Sequence, residues 1–448
     1  MSAEAREALS AGGGLSAGGA LSAGGGLSAG GALSAALSAA SGLKRLFDAA
    51  GHRLYLVGGV VREAVAGRFL TGADLDCTTD ARPATVRRIV SDAATSVWTQ
   101  GERFGTVGCV VDGRAFEITT HRAEHYERQS RKPVVAFGDD VVQDLARRDF
   151  TVNAMAVDTA DGALIDPYGG RDDLVAGVLR TPLDPAVSFG DDPLRMLRAA
   201  RFVAGHGLAP EDALVGAVKA MGDRLDIVAV ERVRDEFEKL LLLDDPSEGF
   251  RFLFLTGLIG RVVGDLARRD PAEVARIAAA VDAEPAPRWA SLFVRHSAEA
   301  AAACLRRLRC PNALVSSSAA LIAARARLAE TGSTRPDVRR LVASCPAPVD
   351  AALAFSVAVA AACGQPSDRL LDFAGALAEL RRIEDVDRPT LPVDGDEVMA
   401  VLGLDPGPDV GRALAFLRER AFQEGPPSRA EAVEALQRWR ATDYCAGP

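Results

Sequence analysis

The stretch from Leu56 to Thr79, LVGGVVREAVAGRFLTGADLDCTT, predicts a strand, a double-glycine turn, a helix and a second strand. The short apolar run before the glycines suits a buried strand better than a helix. Gly58 and Gly59 allow a tight turn that brings backbone N–H groups close to an anion. The helix that follows would direct its N-terminal amides at a phosphate, and Arg62 would add a guanidinium. This segment therefore predicts a phosphate-binding turn.

Two aspartates stand at alternate positions of the second strand. Residues two apart on a strand point to the same face, so Asp74 and Asp76 share a face while Leu75 faces the core. Two carboxylates next to a phosphate-binding turn predict a Mg²⁺ site for phosphoryl or nucleotidyl transfer. The alternative is a glycine turn followed by a solvated aspartate pair. The order and closeness of the two features favour the functional interpretation.

A third carboxylate lies on a later predicted strand, RAFEITTHR, residues 114–122. Asp112-Gly113 before it is a hairpin signal, so this strand and the preceding one are predicted to pair antiparallel. If the strand also lies beside the aspartate strand, Glu117 joins the site and helps to bind metal or to deprotonate a hydroxyl. Otherwise Glu117 is an exposed strand glutamate.

Two further arginine groups suggest phosphate and nucleotide contacts. Arg147 and Arg148 follow a charged segment at 122–137, which is predicted to be a mobile loop near the site. These two arginines would hold phosphates, although an ion-paired surface helix is the simpler alternative. Later, Arg195, Arg198 and Arg201 recur every three residues and therefore share one broad helix face.

Asp192 and Arg195 form a candidate site for recognising a base. Cytosine and adenine each present an amine donor next to a ring-nitrogen acceptor, whereas the edges of uracil and guanine are inverted. A carboxylate beside a guanidinium complements the first pattern. Such a pair would select C and A without a nucleic-acid template. The alternative is an N-capping aspartate next to an ion-paired arginine.

The bulk composition limits the possible classes of protein. The chain has 448 residues and a net charge of −9, which counts against a general nucleic-acid binder. Seven cysteines without a CxxC pair predict reduced thiols in a cytoplasmic protein. No apolar run approaches transmembrane length, so no membrane association is predicted. The LSAGGG-like repeats over 9–38 predict a disordered extension.

Several motifs in order resemble those of the class II CCA-adding enzymes, the tRNA nucleotidyltransferases that also include bacterial poly(A) polymerases. The resemblance covers roughly residues 43–448. Its motifs are LVGGVVRE, DLD, ERFGTV, FEITTHR, RRDFTVNAMAVD, DDPLRMLRAARF, ERVRDEF, LPVDGDEVM and GLDPGPDVGRAL. Two positions depart from the family pattern, because Glu63 and Asp191 stand where Asp and Glu are usual.

The resemblance implies an α+β protein in which a nucleotidyltransferase head, a mixed sheet with helices, precedes all-α neck, body and tail regions. It implies that Asp74 and Asp76 hold Mg²⁺ and that Asp192 and Arg195 recognise the base edge. The residues implied to contact the nucleotide are Gly58, Gly59, Arg62, Arg147 or Arg148, Arg198 and Arg201. The predicted regions are a 1–42 extension, a 43–182 head, a 183–245 neck that selects the nucleotide, a 246–350 body and a 351–448 tail that binds tRNA.

The predicted function is template-independent addition of C, C and A to the 3′ end of tRNA from CTP and ATP, with Mg²⁺ as cofactor. Partial C-only or A-only addition and poly(A) synthesis are the first alternatives. A non-catalytic RNA-binding protein on the same fold is the second, and it would predict eroded carboxylates. The sequence does not determine the oligomeric state.

Overall fold

The computed structural model describes residues 29–68, 74–122 and 137–441. The chain divides into two compact units. The first contains residues 1–191 and 208–214, and the second contains residues 192–207 and 215–448. The division falls nine residues after the predicted end of the head. The predicted boundaries of neck, body and tail stay predictions.

A mixed sheet of seven strands forms the centre of the first unit, in the order β3-β4-β5-β2-β1-β6-β7. The strands of the chain are β1 Leu54–Val57, β2 Leu75–Thr79, β3 Ser96–Trp98, β4 Thr106–Val111, β5 Arg114–Thr120, β6 Ala156–Asp158, β7 Leu164–Ile165, β8 Val178–Leu179 and β9 Ala209–Pro210. β8 and β9 form a separate parallel pair, which the sequence analysis did not predict.

The sheet pairing places the predicted strands beside one another. β4 and β5 pair antiparallel, as predicted, and β3 pairs antiparallel with β4. The β4–β5 hairpin turns at Asp112 and Gly113, whose φ angles of 52° and 73° are those of a two-residue hairpin turn with positive φ. β2 pairs parallel with β5 and antiparallel with β1. The aspartate strand and the Glu117 strand are therefore neighbours.

One face of the sheet is the main core of the first unit. Its buried residues include Leu56, Leu75, Phe116 and Ile118. Because side chains alternate along a strand, Asp76 and Glu117 face the opposite side of the sheet, where both are exposed. The helices of this unit are α1 Ala29–Ala49, α2 Gly59–Val65, α3 Pro83–Val90, α4 Val141–Ala146, α5 Gly170–Ala176 and α6 Pro185–Asp191.

The prediction of a disordered extension is wrong for residues 29–42, because the helix α1 begins at Ala29. Ala32, Ala36 and Ala40 are at most 1% exposed, and they continue the helix face that ends in Leu43 and Phe47. Small residues spaced four apart allow a helix to approach its neighbours closely, so even this Ser- and Ala-rich segment has an apolar face to bury. Residues 1–28, with most of the repeats, lie outside the described residues.

The second unit is helical. Its helices, with α8 starting in the first unit, are α7 Arg195–His206, α8 Asp212–Met221, α9 Val230–Leu241, α10 Ser247–Thr256, α11 Leu258–Val263, α12 Pro271–Ala280, α13 Pro285–Leu292, α14 Ala298–Arg307, α15 Asn312–Glu330, α16 Arg335–Ser344, α17 Val349–Ala362, α18 Asp368–Ile383, α19 Gly395–Leu402, α20 Pro408–Glu424 and α21 Arg429–Trp439. α19, α20 and α21 bury a small core of their own around Val398, Leu417 and Leu436.

Among the described helices, none alone is both long and apolar enough to cross a membrane. The pair α16 and α17, bent by 105°, meets the same test only by combined length and composition. Six cysteines in the described ranges are free thiols, and Cys445 lies outside those ranges.

Candidate functional site

The double-glycine turn lies close to the carboxylate of Asp76 and to the guanidinium of Arg148. Gly58 has φ +69° and ψ −134°, a conformation that side chains rarely adopt. A Cβ atom on Gly58 would lie 3.3 Å from Arg148 Nη1 and 3.4 Å from Asp76 Oδ2. Gly59 begins α2, and a Cβ there would lie 3.7 Å from Arg62 Nη2. The turn therefore adjoins two predicted phosphate-binding arginines and one predicted metal ligand.

The two strands that carry carboxylates align them in register. Asp76 of β2 pairs directly with Glu117 of β5. Paired positions on neighbouring strands share a face, so both side chains project from the same exposed surface. Asp74 directly precedes β2 and is also exposed. Glu117 was predicted to join the site if its strand lies beside the aspartate strand, and the two strands are neighbours.

Arg62 is held by two neighbours on the first unit. Its Nη1 donates to Asn153 Oδ1, and its Nε and Nη2 donate to Glu63 Oε1 at 3.1 and 3.0 Å. Burial alone would raise the pKa of the Glu63 carboxyl, but Arg68 and Arg62 bring it below its ordinary value. Glu63, which departs from the family pattern, thus stays ionised and orients Arg62.

A completely buried carboxylate, Asp144, holds both predicted arginines at 147 and 148. Its Oδ1 accepts from Arg147 Nε at 3.0 Å and Nη2 at 2.9 Å, and its Oδ2 accepts from Arg148 Nη2 at 3.3 Å. Burial would raise the pKa of Asp144, but Arg148 and Arg147 lower it below its ordinary value. Asp144 therefore acts as an anionic anchor from which Arg148 reaches the Gly58 turn, which Asp76 also adjoins.

Behind Asp144 lies a second layer of buried polar groups. Thr78 Oγ1 lies 3.4 Å from Asp144 Oδ2 and 2.9 Å from His121 Nδ1. Burial lowers the pKa of His121, which favours the neutral ring. Thr78 follows Asp76 by two residues on the same strand face. The carboxylate surface and the buried network are thus continuous along β2.

The predicted base-recognition residues lie in the second unit. Asp192 Oδ1 accepts from the backbone N–H of Leu194 at 3.2 Å, and its Oδ2 accepts from Arg232 Nη2 at 3.0 Å. The backbone N–H of Arg195 donates to Asp192 O at 3.0 Å, which places the two predicted residues one turn apart at the start of α7. The Asp192 side chain thus closes the turn that precedes α7, whose N-cap residue is Leu194 without a side-chain cap, so the N-capping role of the alternative interpretation is wrong.

The remaining two arginines of α7 converge on one acidic residue of α9. Glu236, which is 3% exposed, accepts from Arg201 Nε at 2.5 Å, and its Oε2 lies 3.9 Å from Arg198 Nη1. The predicted arginine face is therefore positioned by a buried carboxylate on the neighbouring helix. The nucleotide contacts predicted for Arg198 and Arg201 stay predictions.

Sequence reasoning missed the residues that hold these arginines and aspartates: Asp144, Asn153, Arg232 and Glu236. Asp144 had a readable signal, because it stands three and four residues before the two arginines on a helix. The other three act across elements far apart in the chain. Of the predicted loop at 122–137, residues 123–136 lie outside the described residues.

The donor set at the carboxylate surface fits a Mg²⁺ ion that binds together with a nucleotide. Within residues 29–68, 74–122 and 137–441, no three His, Cys, Asp or Glu side chains are grouped to hold a metal by themselves. Mg²⁺ characteristically takes one or two carboxylates and completes its shell with phosphates and water. The exposed Asp74 and Asp76 supply that kind of partial site, and Asp76 adjoins the glycine turn that Arg148 also reaches.

Comparison with protein families identifies two matching segments. Residues 54–180 match the family model described as "Poly A polymerase head domain". Residues 207–268 match the model described as "Probable RNA and SrmB- binding site of polymerase A". The first segment contains the whole seven-stranded sheet and the site built on it.

Curated relatives and solved structures extend the similarity over nearly the whole chain. A CCA-adding enzyme of Geobacillus kaustophilus (strain HTA426) is 31% identical over 384 residues, which is 84% of this chain and 90% of that protein. One from Geobacillus sp. (strain WCH70) is 37% identical over 220 residues, 49% of this chain and 53% of that protein. The crystal structure of Bacillus stearothermophilus CCA-adding enzyme in complex with CTP matches with a TM-score of 0.72 and 27% identity, and the match covers 92% of this chain and 99% of that one.

Proposed function

Because the chain belongs to the family of class II CCA-adding enzymes, we propose that it adds C, C and A to the 3′ end of tRNA from CTP and ATP. The observation that carries the proposal is the alignment of Asp76 with Glu117 beside the Gly58 turn and Arg148. This surface has the carboxylates, the arginine and the tight turn that nucleotidyl transfer requires. All three predicted carboxylates are present, which disfavours a non-catalytic RNA-binding protein.

The reaction would join the RNA 3′ oxygen to the α-phosphorus and release pyrophosphate. Arg62 and Arg148, held by Asn153 and Asp144, would bind the triphosphate and orient it. Glu117 would accept the proton of the 3′-hydroxyl. Mg²⁺, held by Asp74 and Asp76 together with the phosphates, would supply neutralisation of the charge that develops on the triphosphate.

The base would be selected in the second unit. Asp192 keeps free lone pairs, since each of its oxygens accepts one hydrogen bond and a carboxylate oxygen can accept two. Asp192 would accept the exocyclic amine of C or A, and Arg195 would donate to the ring nitrogen. We place this chemistry in the cytoplasm, in keeping with the six free thiols among the described residues.

The decisive experiment supplies purified full-length protein with tRNA that lacks its 3′ CCA and with each labelled nucleotide, singly and in order. We expect two C and one A to be added, with UTP and GTP rejected. Asp74→Ala with Asp76→Ala should abolish addition. Asp172→Ala, an exposed aspartate on α5, should not. If CTP and ATP are both ignored, or the double variant stays active, the proposed function is wrong.

Poly(A) synthesis remains a second candidate because the matching head model is described as that of a poly A polymerase. The same assay distinguishes it through product length. A product that stops after three nucleotides supports CCA addition. A product that extends far beyond three with ATP alone would move the assignment to poly(A) polymerase.

A further inference from the structure

Four residues form one row across four adjacent strands of the sheet. Asp76 on β2 pairs with Glu117 on β5, and Glu117 pairs with Gly108 on β4. Gly108 in turn pairs with Trp98 on the edge strand β3. Paired positions share a face of the sheet, so Trp98 lies on the same surface as the carboxylates.

The indole of Trp98 occupies the place where Gly108 lacks a side chain. A Cβ atom on Gly108 would lie 1.9 Å from Trp98 Cε2 and 2.0 Å from Trp98 Nε1. The indole therefore leans along the row toward Glu117, whose strand is about 5 Å beyond that of Gly108. Trp98 is only partly buried, so the ring keeps surface available to a ligand.

We propose that Trp98 is a stacking platform for the nucleobase of the acceptor RNA's 3′-terminal nucleotide. The inference rests on the proposed function, which brings the attacking 3′-hydroxyl to Asp76 and Glu117. The base of the same nucleotide is then within reach of the indole. The base of the incoming nucleotide is assigned to Asp192 and Arg195, so the acceptor's base is the one left for Trp98.

Stacking suits a contact that has to accept several bases. During three successive additions, the terminal nucleotide is first the last residue of the unextended tRNA and then a cytidine. A contact that recognised one base edge would block some of these steps. Stacking on an aromatic ring tolerates any base, because each base has a π-face.

A purely structural role for Trp98 is the competing explanation. An aromatic side chain over a cross-strand glycine stabilises sheet edges, and β3 is a three-residue edge strand. The test must therefore measure something that depends on the acceptor's base. An acceptor tRNA whose 3′-terminal nucleotide is abasic provides that measurement.

The experiment compares the full-length protein with its Trp98→Leu and Trp98→Phe variants on acceptors that end in a base or in an abasic nucleotide. We expect Trp98→Leu to raise KM for the base-bearing acceptor about tenfold, Trp98→Phe to raise it less, and KM for CTP to stay unchanged. On the abasic acceptor, the wild type and Trp98→Leu should have equal KM. Val97→Ala, on the opposite face of β3, serves as the control.

Intrinsic fluorescence gives a second measurement that does not require Trp98→Leu to fold. Binding of the base-bearing acceptor should quench the wild-type emission more than the abasic acceptor does, and Trp98→Phe should remove that difference. A KM that rises equally on both acceptors, a KM that rises for CTP instead, or quenching that ignores the base would each overturn the inference. If the wild type extends no acceptor at all, the proposed function fails instead.

Discussion

Asp144→Asn tests the anchor that holds two of the predicted phosphate-binding arginines. In the wild type, Asp144 Oδ1 accepts from Arg147 and from the backbone N–H of Arg122, and Oδ2 accepts from Arg148 and Thr78. An asparagine can keep the oxygen on the Arg147 side only by turning an NH₂ group toward Arg148. Two donors then face each other, so Arg148 is the residue that loses its partner.

The expected loss of stability follows from burial. Removing one partner from a buried ion pair costs about 3–5 kcal/mol. The Arg148 side chain is 20% exposed and Asp144 is not exposed at all, so released Arg148 recovers part of its hydration. We therefore expect the free energy of unfolding to fall by roughly 2–3 kcal/mol. A displaced Arg148 should also lower kcat/KM, and the factor should be about the same for CTP as for ATP because both nucleotides carry the same triphosphate.

The pH dependence of this difference has a definite sign. The pKa of Asp144 is lower in the folded than in the unfolded protein, so the folded state favours the ionised carboxylate. Its contribution is complete above the unfolded pKa of about 4 and is lost as pH falls through the lower folded pKa. The difference in free energy of unfolding between the wild type and Asp144→Asn should therefore be constant near neutral pH and become smaller in acid.

Urea unfolding followed by circular dichroism, together with steady-state addition assays, measures both effects. Asp140→Asn is the matched control, because Asp140 caps α4 at an exposed position and asparagine caps equally well. The reasoning is refuted if Asp144→Asn unfolds within about 0.5 kcal/mol of the wild type, a margin typical of surface substitutions. It is also refuted if kcat/KM falls for one nucleotide only.

Two further predictions concern the second unit and α1. Arg232→Gln should change the free energy of unfolding by less than about 1 kcal/mol, because its ion pair with Asp192 is partly exposed. The same variant should lower the ratio of kcat/KM for CTP to kcat/KM for UTP about tenfold. Arg261→Gln is the control, and an unchanged ratio in Arg232→Gln contradicts the prediction. Ala36→Asp should lower the midpoint temperature of thermal unfolding sharply, because it buries a charge in the core. Ser34→Asp, at an exposed position of the same helix, should not lower it. Equal midpoints for the two variants would contradict the core role of α1.

The local features of the carboxylate site could be predicted from the sequence. The strand before Gly58, the alternation around Asp76 and the hairpin at Asp112 each depend on residues a few positions apart. The parallel pairing that sets Asp76 opposite Glu117 does not. It joins strands forty residues apart, and their register is fixed by the apolar face they share, which only the assembled core defines.

α1 shows how composition can hide a helix. Residues 29–42 contain mostly glycine, alanine and serine, and on average such a segment buries little. Position matters more than the average here, because Ala32, Ala36 and Ala40 recur on one face. This alanine face stabilises the helix only when it packs against the neighbouring core, and composition alone does not reveal that core.

The charged residues of α9 show where a sequence rule points to the wrong partner. Arg232 and Glu236 stand four apart on one helix, the spacing at which opposite charges usually pair with each other. In the structure, Arg232 instead binds Asp192, and Glu236 binds Arg201. Glu236 is almost completely buried, and a buried carboxylate needs charged donors that are buried with it, which an exposed neighbour on the same helix cannot supply. Through these two ion pairs of opposite polarity, α9 holds Asp192 and Arg201, which are two of the residues predicted to recognise or contact the nucleotide.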